Sequence, residues 1–377
     1  MKILYVTTIS NTMTFFTSHI NMLLDEGHTV DMACNLKRPV DPNLLDRGCN
    51  VYNIGFLRSP LKVQNYFAYQ NLKKLIKQNN YDVIHTHTPV ASVCARLACK
   101  NTEKSKVIYT AHGFHFYKGA PIKNWLLYYP IEYWLSNYTD LLITINKEDY
   151  NRAKKSFKAN DTVYVPGVGL DTKKFSKTKI SKSEKRREMG LPLDSFVVLS
   201  VGELNKNKNH EVIIKAIAKL KNPNVYYIIC GQGALKEYLR GLAKEFGVED
   251  KVRLLGFRND VVDIYKASDI FAFPSLREGL PVSLMEAMAA GLPIICSRVR
   301  GNTDLIENGK GGYLVQPNDA NEFKSKMIKL IDNSELRKDM ISYNLAKVKK
   351  YDTKAILEKM NILYSNILYR QKSNEKG

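Results

Sequence analysis

Short apolar runs alternate with amphipathic stretches along the first half of the chain. Between the first two runs, TSHINMLLDEGH carries apolar residues at helical spacing. The runs, each bounded by turn residues, are ILYVTTI, TVDMAC, DVIHTHT, KVIYTAHG and DLLITIN. Buried strands that alternate with amphipathic helices are typical of a parallel sheet covered by helices. This half is therefore predicted to be a doubly wound α/β domain.

A second series of the same kind begins at Phe196. Its strand-like runs are FVVLSVG, VYYIICG, KVRLLGF, IFAFPS and PIICS, and the helix-like HEVIIKAIAKL follows the first of them. A chain of 377 residues is also too long for one ordinary core. The predicted fold is therefore two doubly wound parallel-sheet α/β domains that face a cleft.

The composition indicates where these domains end. We assign residues 1–170 and 191–352 to the two domains, because residues 171–190 are polar, lysine-rich and short of apolar side chains. We interpret that segment as a linker, with a surface helix as the alternative. Residues 353–377 contain ILEKMNILYSNILY, whose apolar spacing predicts a C-terminal helix.

The overall composition is that of a globular protein. Hydrophobic residues make up 44% and charged residues 25%, and no apolar run approaches the ~18–20 residues of a membrane span. The apolar run after Met1 is too short for a signal sequence and lacks a small-residue cleavage site, so we expect a cytoplasmic protein. The six cysteines include no CxxC pair, which favours reduced core thiols over a metal site.

The net charge of +20 has several competing explanations. Nucleic acid, an anionic membrane and an anionic substrate would each be attracted by it. The excess is spread along the chain, and much of it is lysine beside abundant Asn and Ile, so a compositional bias of the source competes with these functions. Nucleic acid is the least favoured of these explanations, because the chain has no basic arm.

The stretch REGLPVSLMEAMAAGLP follows the run IFAFPS and sets Glu278 and Glu286 eight positions apart. Ligands of open parallel sheets bind beyond the carboxyl ends of the strands. Pro281 suits the first turn of a helix, where its missing N–H costs nothing. The free amides that would then point at a phosphate are those of Gly279, Leu280, Val282 and Ser283.

Two interpretations of the carboxylate pair remain open. A carboxylate beside a phosphate site is a poor phosphate ligand but a good acceptor for hydroxyl groups. Glu278 and Glu286 therefore favour a ligand with a phosphate between two polyols, such as a sugar, a diphosphate and a ribose. In the alternative, Glu278 is an acidic residue favoured by the helix dipole and Glu286 is a surface residue.

A second anion site is predicted in VGELNKNKNH, residues 201–210. Gly202 permits a tight turn, and Lys206 or Lys208 would reach the same diphosphate as a point charge. The P-loop pattern GxxxxGK[ST] is absent, and CGQGA lacks the third glycine of a dinucleotide fingerprint, so we interpret CGQGA as a strand-to-helix turn.

Three histidines stand at predicted strand ends: His85 and His87 in one run, and His112 in TAHG. A single histidine of this kind is more often a buried, hydrogen-bonded ring than a functional group, but three in one domain make a functional role worth testing. No carboxylate or cysteine completes a zinc ligand set, so we expect no metal.

At this point the chain resembles, over nearly its whole length, the retaining glycosyltransferases of family 4, which have the GT-B fold. The most specific match is the EX7E motif from Glu278 to Glu286. Supporting matches are the VG…K segment at residues 201–208, LLGF at 254–257, the strand start at Asp269, IHTHTP and TAHG. The resemblance implies a nucleotide sugar, most often a UDP sugar, in the C-terminal domain and an acceptor on the N-terminal domain. It also implies no cofactor, and a C-terminal helix that crosses back to the N-terminal domain.

Carried over by position, the resemblance implies roles for individual residues. Glu286 would hold the ribose hydroxyls and Glu278 the donor-sugar hydroxyls, while Lys208 would neutralise the diphosphate as the glycosidic bond breaks. The other implied donor-binding positions are Gly202, Lys206, Phe257, Arg258, Gly279, Leu280, Pro281 and Val282. His112 would lie beside the donor sugar, and the implied acceptor side comprises Thr12, His87 and His112. No metal is required, because the helix N-terminus and Lys208 supply the positive charge.

Two departures from the family pattern bear on binding. Glu203 stands where the family commonly has an arginine, so one phosphate cation is missing unless Lys206 substitutes for it. The first loop, residues 10–14, lacks the frequent Gly-Gly pair. Donor affinity or acceptor approach is expected to differ accordingly.

The expected function is retaining transfer of a sugar from a UDP sugar to a hydroxyl of a lipid-linked or oligosaccharide acceptor in cell-surface polysaccharide synthesis. A sugar-nucleotide epimerase or a phosphorylase on the same fold is the alternative among enzymes. A basic nucleic-acid-binding protein and a catalytically inactive scaffold are the alternatives from other classes. The nucleic-acid alternative leaves the EX7E constellation unexplained, and the scaffold is disfavoured because both glutamates and the lysine are present.

The segment KNWLLYYPIEYWLSNY, residues 123–138, holds both tryptophans and four tyrosines. Such side chains suit a water–lipid boundary, and Lys118 and Lys123 would favour anionic headgroups. A peripheral position at the inner face of the cell membrane is the corresponding expectation. The alternative is packing against the N-terminal sheet, because Pro130 and Glu132 interrupt any continuous apolar face.

Overall fold

The computed structural model describes residues 1–100, 102, 104–176 and 181–374. The chain divides into two compact units. Unit 1 comprises Met1–Gly169 together with the C-terminal segment from Thr353, and unit 2 comprises Leu170–Asp352.

Each unit is built on a parallel β-sheet. In unit 1 the strands are β1 (Lys2–Ile9), β2 (Thr29–Asn35), β3 (Val51–Asn53), β4 (Val83–Thr86), β5 (Lys106–Ala111), β6 (Leu141–Thr144) and β7 (Asp161–Tyr164). In unit 2 they are β8 (Phe196–Val201), β9 (Val225–Cys230), β10 (Val252–Gly256), β11 (Ile270–Phe273), β12 (Ile294–Ser297) and β13 (Gly312–Val315). The strand orders are β3-β2-β1-β4-β5-β6-β7 and β10-β9-β8-β11-β12-β13.

Helices follow most of the strands. In chain order they are α1 (Ser10–Met13), α2 (Thr17–Asp25), α3 (Pro42–Asp46), α4 (Gln64–Asn79), α5 (Pro89–Ala98), α6 (Ile122–Ser136), α7 (Lys147–Ser156), α8 (Thr172–Ser176), α9 (Lys182–Glu188), α10 (His210–Leu220), α11 (Lys236–Glu245), α12 (Val261–Ala267), α13 (Val282–Ala289), α14 (Asn302–Leu305), α15 (Ala320–Asp332), α16 (Ser334–Val348) and α17 (Thr353–Asn374).

The predicted fold class of two parallel-sheet α/β domains is confirmed. The apolar runs noted in the sequence form ten of the thirteen strands. The three strands that the pattern missed, β3, β7 and β13, each lie at an edge of their sheet and are only three or four residues long. Strands β3 and β7 are only partly buried, so the apolar signal that reveals a central strand is weak in them, whereas β13 was missed although all four of its residues are buried.

The C-terminal helix α17 is part of the core of unit 1. Ile356, Met360 and Tyr364 are buried in the same apolar cluster as Ile3 and Tyr5 of β1. The spacing of four residues between the three helix side chains places them on one face of the helix. Residues distant in sequence therefore complete one hydrophobic core.

The segment interpreted as a linker, residues 171–190, contains two helices, α8 and α9. Helix α9 begins with a capping box in which Ser181 and Glu184 satisfy each other's backbone amides. Arg186 is buried and donates hydrogen bonds to the Ala267 carbonyl and the Asp269 carboxylate of unit 2. Residues 177–180 of this segment lie outside the described residues.

Two further observations bear on the class of protein. All six cysteines are buried and free, as expected for core thiols. In the part of the chain that the structure describes, no helix is both long enough and apolar enough to cross a membrane.

Candidate active site

The strand order of unit 2 reverses between β8 and β11, which pair with each other at the centre of the sheet. Open α/β sheets bind ligands at such a reversal, because the loops after the two strands diverge and leave a crevice. The loop after β8 contains Lys208, and the loop after β11 contains Glu278. The topology therefore brings the two predicted anion-binding loops to one place.

Hydrogen bonds hold these two loops together. The amide of Leu276 donates to the Asn207 carbonyl at 2.8 Å, and the Asn207 side chain donates to the Arg277 carbonyl at 3.0 Å. Asn209, in the left-handed conformation with φ of 52°, donates from its side chain to the Pro317 carbonyl at 2.8 Å. The loop that carries Lys208 is thus fixed on both sides of that lysine.

Lys208 and Glu278 form an ion pair in which Nζ lies 2.6 Å from Oε1. The lysine ammonium also lies 4.7 Å from the centroid of the Phe273 ring. Gly202 makes room for this geometry, because a Cβ atom there would stand 3.2 Å from Cδ of Lys208. The glycine predicted to allow a tight turn therefore also lets the lysine side chain pass over the backbone.

The turn CGQGA supports the same loop. A Cβ atom on Gly231 would lie 1.9 Å from the Gly202 carbonyl oxygen, and one on Gly233 would lie 2.4 Å from that of Leu204. The amide of Leu204 donates to the Gln232 carbonyl at 2.9 Å. Both glycines are therefore required for backbone-to-backbone packing beneath the loop that carries Lys208.

Helix α13 presents an uncapped N-terminus at this site. The helix begins at Val282, and Pro281 is its N-cap, one position before the predicted first turn. No side chain caps the helix, so its first amides stay available to an anion. Gly301 packs behind the loop, where a Cβ atom would lie 2.3 Å from the Gly279 carbonyl oxygen.

Glu286 lies within α13, where it is partly buried. Its Oε2 accepts a hydrogen bond from the Tyr265 hydroxyl at 3.0 Å. Burial raises the pKa of Glu286, while that hydrogen bond and the charge of Lys174 act in the opposite direction. Sequence patterns missed Tyr265 and Lys174, because α12 and α8 reach Glu286 only through tertiary packing.

Three other residues predicted to bind the donor form no contact with the Lys208–Glu278 ion pair among the described interactions, and their donor-binding role stays a prediction. Lys206 is exposed and lines a cavity with Tyr238 and with Asn205 and Asn209 of its own loop. Phe257 is 71% exposed. Arg258 is held in ion pairs with Asp260 and Glu188, at 2.5 and 2.6 Å, which raise its pKa above the usual range.

A second group of predicted residues lies in unit 1, whose strand order reverses between β1 and β4. Thr12 follows β1, His87 follows β4, and His112 follows the adjacent β5. His112 Nε2 lies 3.3 Å from His87 Nδ1, and the His87 ring stacks on Phe16 with centroids 3.8 Å apart. His87 is buried, whereas His112 is partly exposed, so a ligand would meet His112 first.

Burial keeps these histidines neutral. It lowers the pKa of His112 to about 4, with a further contribution from His19. Burial and the neighbouring histidines hold the pKa of His87 well below its usual range. The His112–His87 contact is therefore a hydrogen bond between neutral rings near pH 7.

His85 has a structural role instead. The register of β1 on β4 pairs it with Tyr5, and its two ring nitrogens lie within hydrogen-bonding distance of the hydroxyls of Tyr364 and Thr110. The Tyr364 hydroxyl lies 2.9 Å from that of Tyr5. His85 thus links the sheet to helix α17 in a buried polar network.

The described residues contain no group of three or more His, Cys, Asp or Glu side chains arranged to hold a metal ion. Positive charge at the candidate site comes from Lys208, from the amides at the start of α13 and from Arg300, whose Nε donates a hydrogen bond to the Glu278 carbonyl at 3.1 Å.

Solved structures of similar fold define the class of protein. HepE of Anabaena in complex with UDP matches with a TM-score of 0.79 and 21% identity, over 97% of this chain and all of that one. Sucrose-phosphate synthase from Thermosynechococcus elongatus matches with a TM-score of 0.82 and 19% identity, over 98% of this chain and 99% of that one. The fold is that of the GT-B glycosyltransferases.

Sequence comparison identifies the family. Residues 181–347 match the profile described as glycosyl transferases group 1, and residues 2–146 match the profile described as glycosyl transferase 4-like. EpsD of Bacillus subtilis, provisionally named a glycosyltransferase, is 38% identical over 83% of this chain and 84% of its own length. The chain therefore belongs to the group 1 glycosyltransferases.

A second relative has a more specific name. It is the UDP-Gal:alpha-D-GlcNAc-diphosphoundecaprenol alpha-1,3-galactosyltransferase of Escherichia coli, which is 29% identical over 84% of this chain and 83% of its own length.

Proposed function

We propose that this glycosyltransferase is of the retaining, family 4 type and moves a sugar from a UDP sugar to a hydroxyl of a lipid-linked acceptor in cell-surface polysaccharide synthesis. The observation that carries the donor assignment is the Lys208–Glu278 pair beside the uncapped start of α13. A lysine, free amides and carboxylates at one switch point suit a ligand with a diphosphate between two polyols.

Within this proposal each site residue has a distinct task. The amides from Gly279 to Val282 and the Lys208 ammonium hold the diphosphate. Glu278 accepts hydrogen bonds from the donor sugar. Glu286, oriented by the Tyr265 hydroxyl, accepts hydrogen bonds from the ribose hydroxyls. Donor binding replaces part of the Lys208–Glu278 pairing by contacts to the ligand.

The proposed reaction is a substitution at the anomeric carbon from one face. The bond from that carbon to the phosphate oxygen breaks, a bond to the acceptor oxygen forms on the same side, and the acceptor proton passes to the departing phosphate. Lys208 and the α13 amides stabilise the negative charge that grows on the leaving group, so no metal ion is needed.

The acceptor side is assigned to unit 1, at Thr12 and His112, with His87 holding the His112 ring in place. Support for a lipid-linked acceptor comes from the name of the Escherichia coli relative, whose acceptor carries a diphosphoundecaprenol group.

The test is a screen of nucleotide sugars in two assays. A donor present at 100 times its dissociation constant should add about 2.7 kcal/mol to the free energy of unfolding, which a thermal shift detects. Nucleoside diphosphate should then be released when a lipid-linked acceptor is added. Conversion of the donor sugar without an acceptor would instead favour the epimerase alternative, and tight DNA binding would favour the nucleic-acid alternative.

EDTA provides the test of the metal-free mechanism. Transfer should continue at its full rate in the chelator. Loss of activity that magnesium restores would refute this part of the proposal.

A further inference from the structure

Unit 1 contains a cavity of about 340 Å³ that Thr12 of the proposed acceptor side lines, while the rest of its wall has no role in the proposed chemistry. Its volume lies within the ~300–1,000 Å³ of ordinary ligand pockets. The cavity extends from the loops after β1 and β4, where Thr12 lines it, to helix α6, where Leu127 and Ile131 line it. The apolar side chains that line it are Ile9, Leu61, Val90, Val93, Phe114 and Leu127.

Several polar groups in the cavity wall, those of Thr8, Thr88 and Glu132, are already hydrogen-bonded to other protein groups. The hydroxyls of Thr8 and Thr88 lie 2.6 Å apart, and the Thr88 hydroxyl also accepts the Thr8 amide. Glu132 accepts hydrogen bonds from Arg96 at 2.8 Å and from the Tyr109 hydroxyl at 3.3 Å. A sugar would find few unpaired partners here, whereas a hydrocarbon chain requires none.

The rim of the cavity exposes apolar side chains to solvent. Leu61 is 88% exposed, and Leu127 and Ile131 of α6 are also exposed. Exposed apolar side chains at the opening of a cavity are typical of a binding site for another apolar surface. A hydrocarbon chain bound in the cavity would therefore continue outward into an apolar environment.

One cation, Arg58, stands in the cavity wall. It is exposed, and within the described residues it forms no ion pair with a carboxylate. A guanidinium presents paired N–H donors that match the oxygens of a phosphate. The wall therefore offers an apolar surface together with one phosphate ligand.

We infer that this cavity binds the hydrocarbon chain of the acceptor next to its phosphate group, and that Arg58 pairs with that phosphate. The inference rests on the proposed function, since it specifies how the acceptor's lipid is recognised. The occupant is a hydrocarbon chain joined to a diphosphate. The sugar to be extended lies beyond the diphosphate, toward Thr12 and His112.

Isothermal titration calorimetry with farnesyl diphosphate, below the concentration at which it aggregates, tests this inference. Farnesol and inorganic diphosphate are the matched half-ligands. We expect farnesyl diphosphate to bind at least 10-fold more tightly than either, because only it uses both the apolar wall and Arg58. Equal binding of farnesol and farnesyl diphosphate would overturn the role of Arg58, and no binding of either would overturn the site.

Substitutions test whether any farnesyl diphosphate binding takes place in the cavity. Val93→Trp fills the cavity and Arg58→Glu reverses the charge, so each should weaken farnesyl diphosphate binding at least 10-fold. Val63→Trp and Lys62→Glu are controls at exposed positions outside the cavity lining, and they should bind as the parent does. Leu61→Asp is a second lining variant that should not disturb folding, because Leu61 is exposed. Parent-like binding by Arg58→Glu and Leu61→Asp would refute the inference.

Thermal stabilisation by nucleotide sugars distinguishes a failure of the cavity assignment from a failure of the proposed function. The cavity variants lie in unit 1 and should respond to the donor as the parent does. If donor stabilisation is absent from the parent protein, the proposed function fails. If it is present while farnesyl diphosphate does not bind, only the cavity assignment fails.

Discussion

Lys208 and Glu278 form an ion pair across 2.6 Å. Under the proposed function, an arriving diphosphate would compete with this carboxylate for the same ammonium group. The carboxylate would then be released to accept hydroxyl groups of the sugar. Such an exchange of partners would commit Lys208 to the leaving group only when the donor is bound.

The first prediction separates Lys208 from Glu286. Lys208→Ala should lower kcat by about 100- to 1,000-fold, because the lysine opposes charge that grows in the transition state. Glu286→Ala should raise the donor KM by about 10- to 100-fold with a smaller effect on kcat, because a ribose contact is present in both ground and transition states. Initial rates of nucleoside diphosphate release against donor concentration give both constants.

Lys206→Ala is the matched control for this prediction. Lys206 lies on the same loop but is exposed and lines another cavity, so both constants should stay close to those of the parent. Near-parental kinetics in Lys208→Ala, or an equal loss in Lys206→Ala, would contradict the site assignment.

The second prediction concerns the buried histidines of unit 1. Burial holds the pKa of His85 well below its usual range and lowers that of His112 to about 4. The unfolded chain, with histidine pKa values of about 6.5, therefore binds more protons than the folded chain below that pH. The free energy of unfolding should fall as the pH drops from about 6.5 toward 4, and be independent of these groups above pH 7.

His85→Gln provides the measurement. It removes one of the groups that bind a proton only on unfolding, so the melting temperature of the variant should depend less steeply on pH between 6.5 and 4. The variant is also expected to be less stable at pH 7, because Tyr364 and Thr110 lose a ring partner. An unchanged pH slope would show that His85 is not neutral in the folded protein.

At the scale of single elements, helix α6 carries most of the aromatic segment, residues 123–138. Its structure shows which side chains of that segment pack inward and which are exposed. Glu132 faces inward and pairs with Arg96, so it does not interrupt the outer face. Trp125 also packs inward, with its ring centroid 5.7 Å from that of Phe116 and the Arg152 guanidinium 4.5 Å above it. The exposed face of α6 consists mainly of Ile122, Lys123, Leu126, Leu127, Pro130, Ile131 and Trp134.

This apolar outer face leads to the third prediction, reversible binding to anionic vesicles. Leu126 is 74% exposed and Trp134 is 46% exposed, so both would insert their side chains into the interface. Leu126→Ser with Trp134→Ser should reduce co-sedimentation with phosphatidylglycerol vesicles, and high salt should reduce it in the parent, because the protein carries a charge of +20.

Two controls test whether the effect belongs to this face. Ile362→Ser, at a position on α17 that is 60% exposed, should bind vesicles as the parent does. Circular dichroism should be unchanged in all variants, because the substituted side chains are exposed. Failure of the parent to co-sediment at low salt would rule out the membrane-facing role.

At the scale of the whole molecule, the chain leaves unit 1 at Gly169 and returns to it at Thr353. The two residues are neighbours, since a Cβ atom on Gly169 would lie 2.7 Å from the Thr353 Cα. The ends of unit 2 also adjoin, because the Leu170 amide donates to the Tyr351 carbonyl at 2.9 Å. Unit 2 therefore has the form of an insertion into unit 1.

The fourth prediction follows from this connectivity. Residues 1–169 alone should lack a cooperative thermal transition, because Ile356, Met360 and Tyr364 are missing from their core. Residues 1–169 joined to 353–374 by a short Gly/Ser link should regain it, since the two ends are adjacent. Residues 170–352 alone should unfold cooperatively and serve as the control. A sharp transition for residues 1–169 alone would contradict the role of α17.

The sequence by itself determined the features that depend on local order. The central strands follow from apolar runs, because strands buried on both faces admit few polar residues. A helix start near Val282 follows from EGLP, because Pro281 has a fixed φ and no backbone N–H to lose, and the structure places Pro281 at the N-cap, one position before the predicted first turn. Lys208 and Glu278 were candidates because each lies in the loop after a strand whose apolar pattern is plain. The choice of Lys208 over Lys206, and the role of Glu286 within the helix, came from the family resemblance.

Tertiary structure alone decided which of these residues meet, because contacts between distant segments have no local signature. It paired Lys208 with Glu278, brought Tyr265 to Glu286, and placed Tyr364 of the last helix beside His85. It also separated residues that the pattern had grouped: His85 is a buried structural ring, while His112 is partly exposed. Strand order and the packing of helices on the sheets produce these distances, and a single sequence records only the order of residues along the chain.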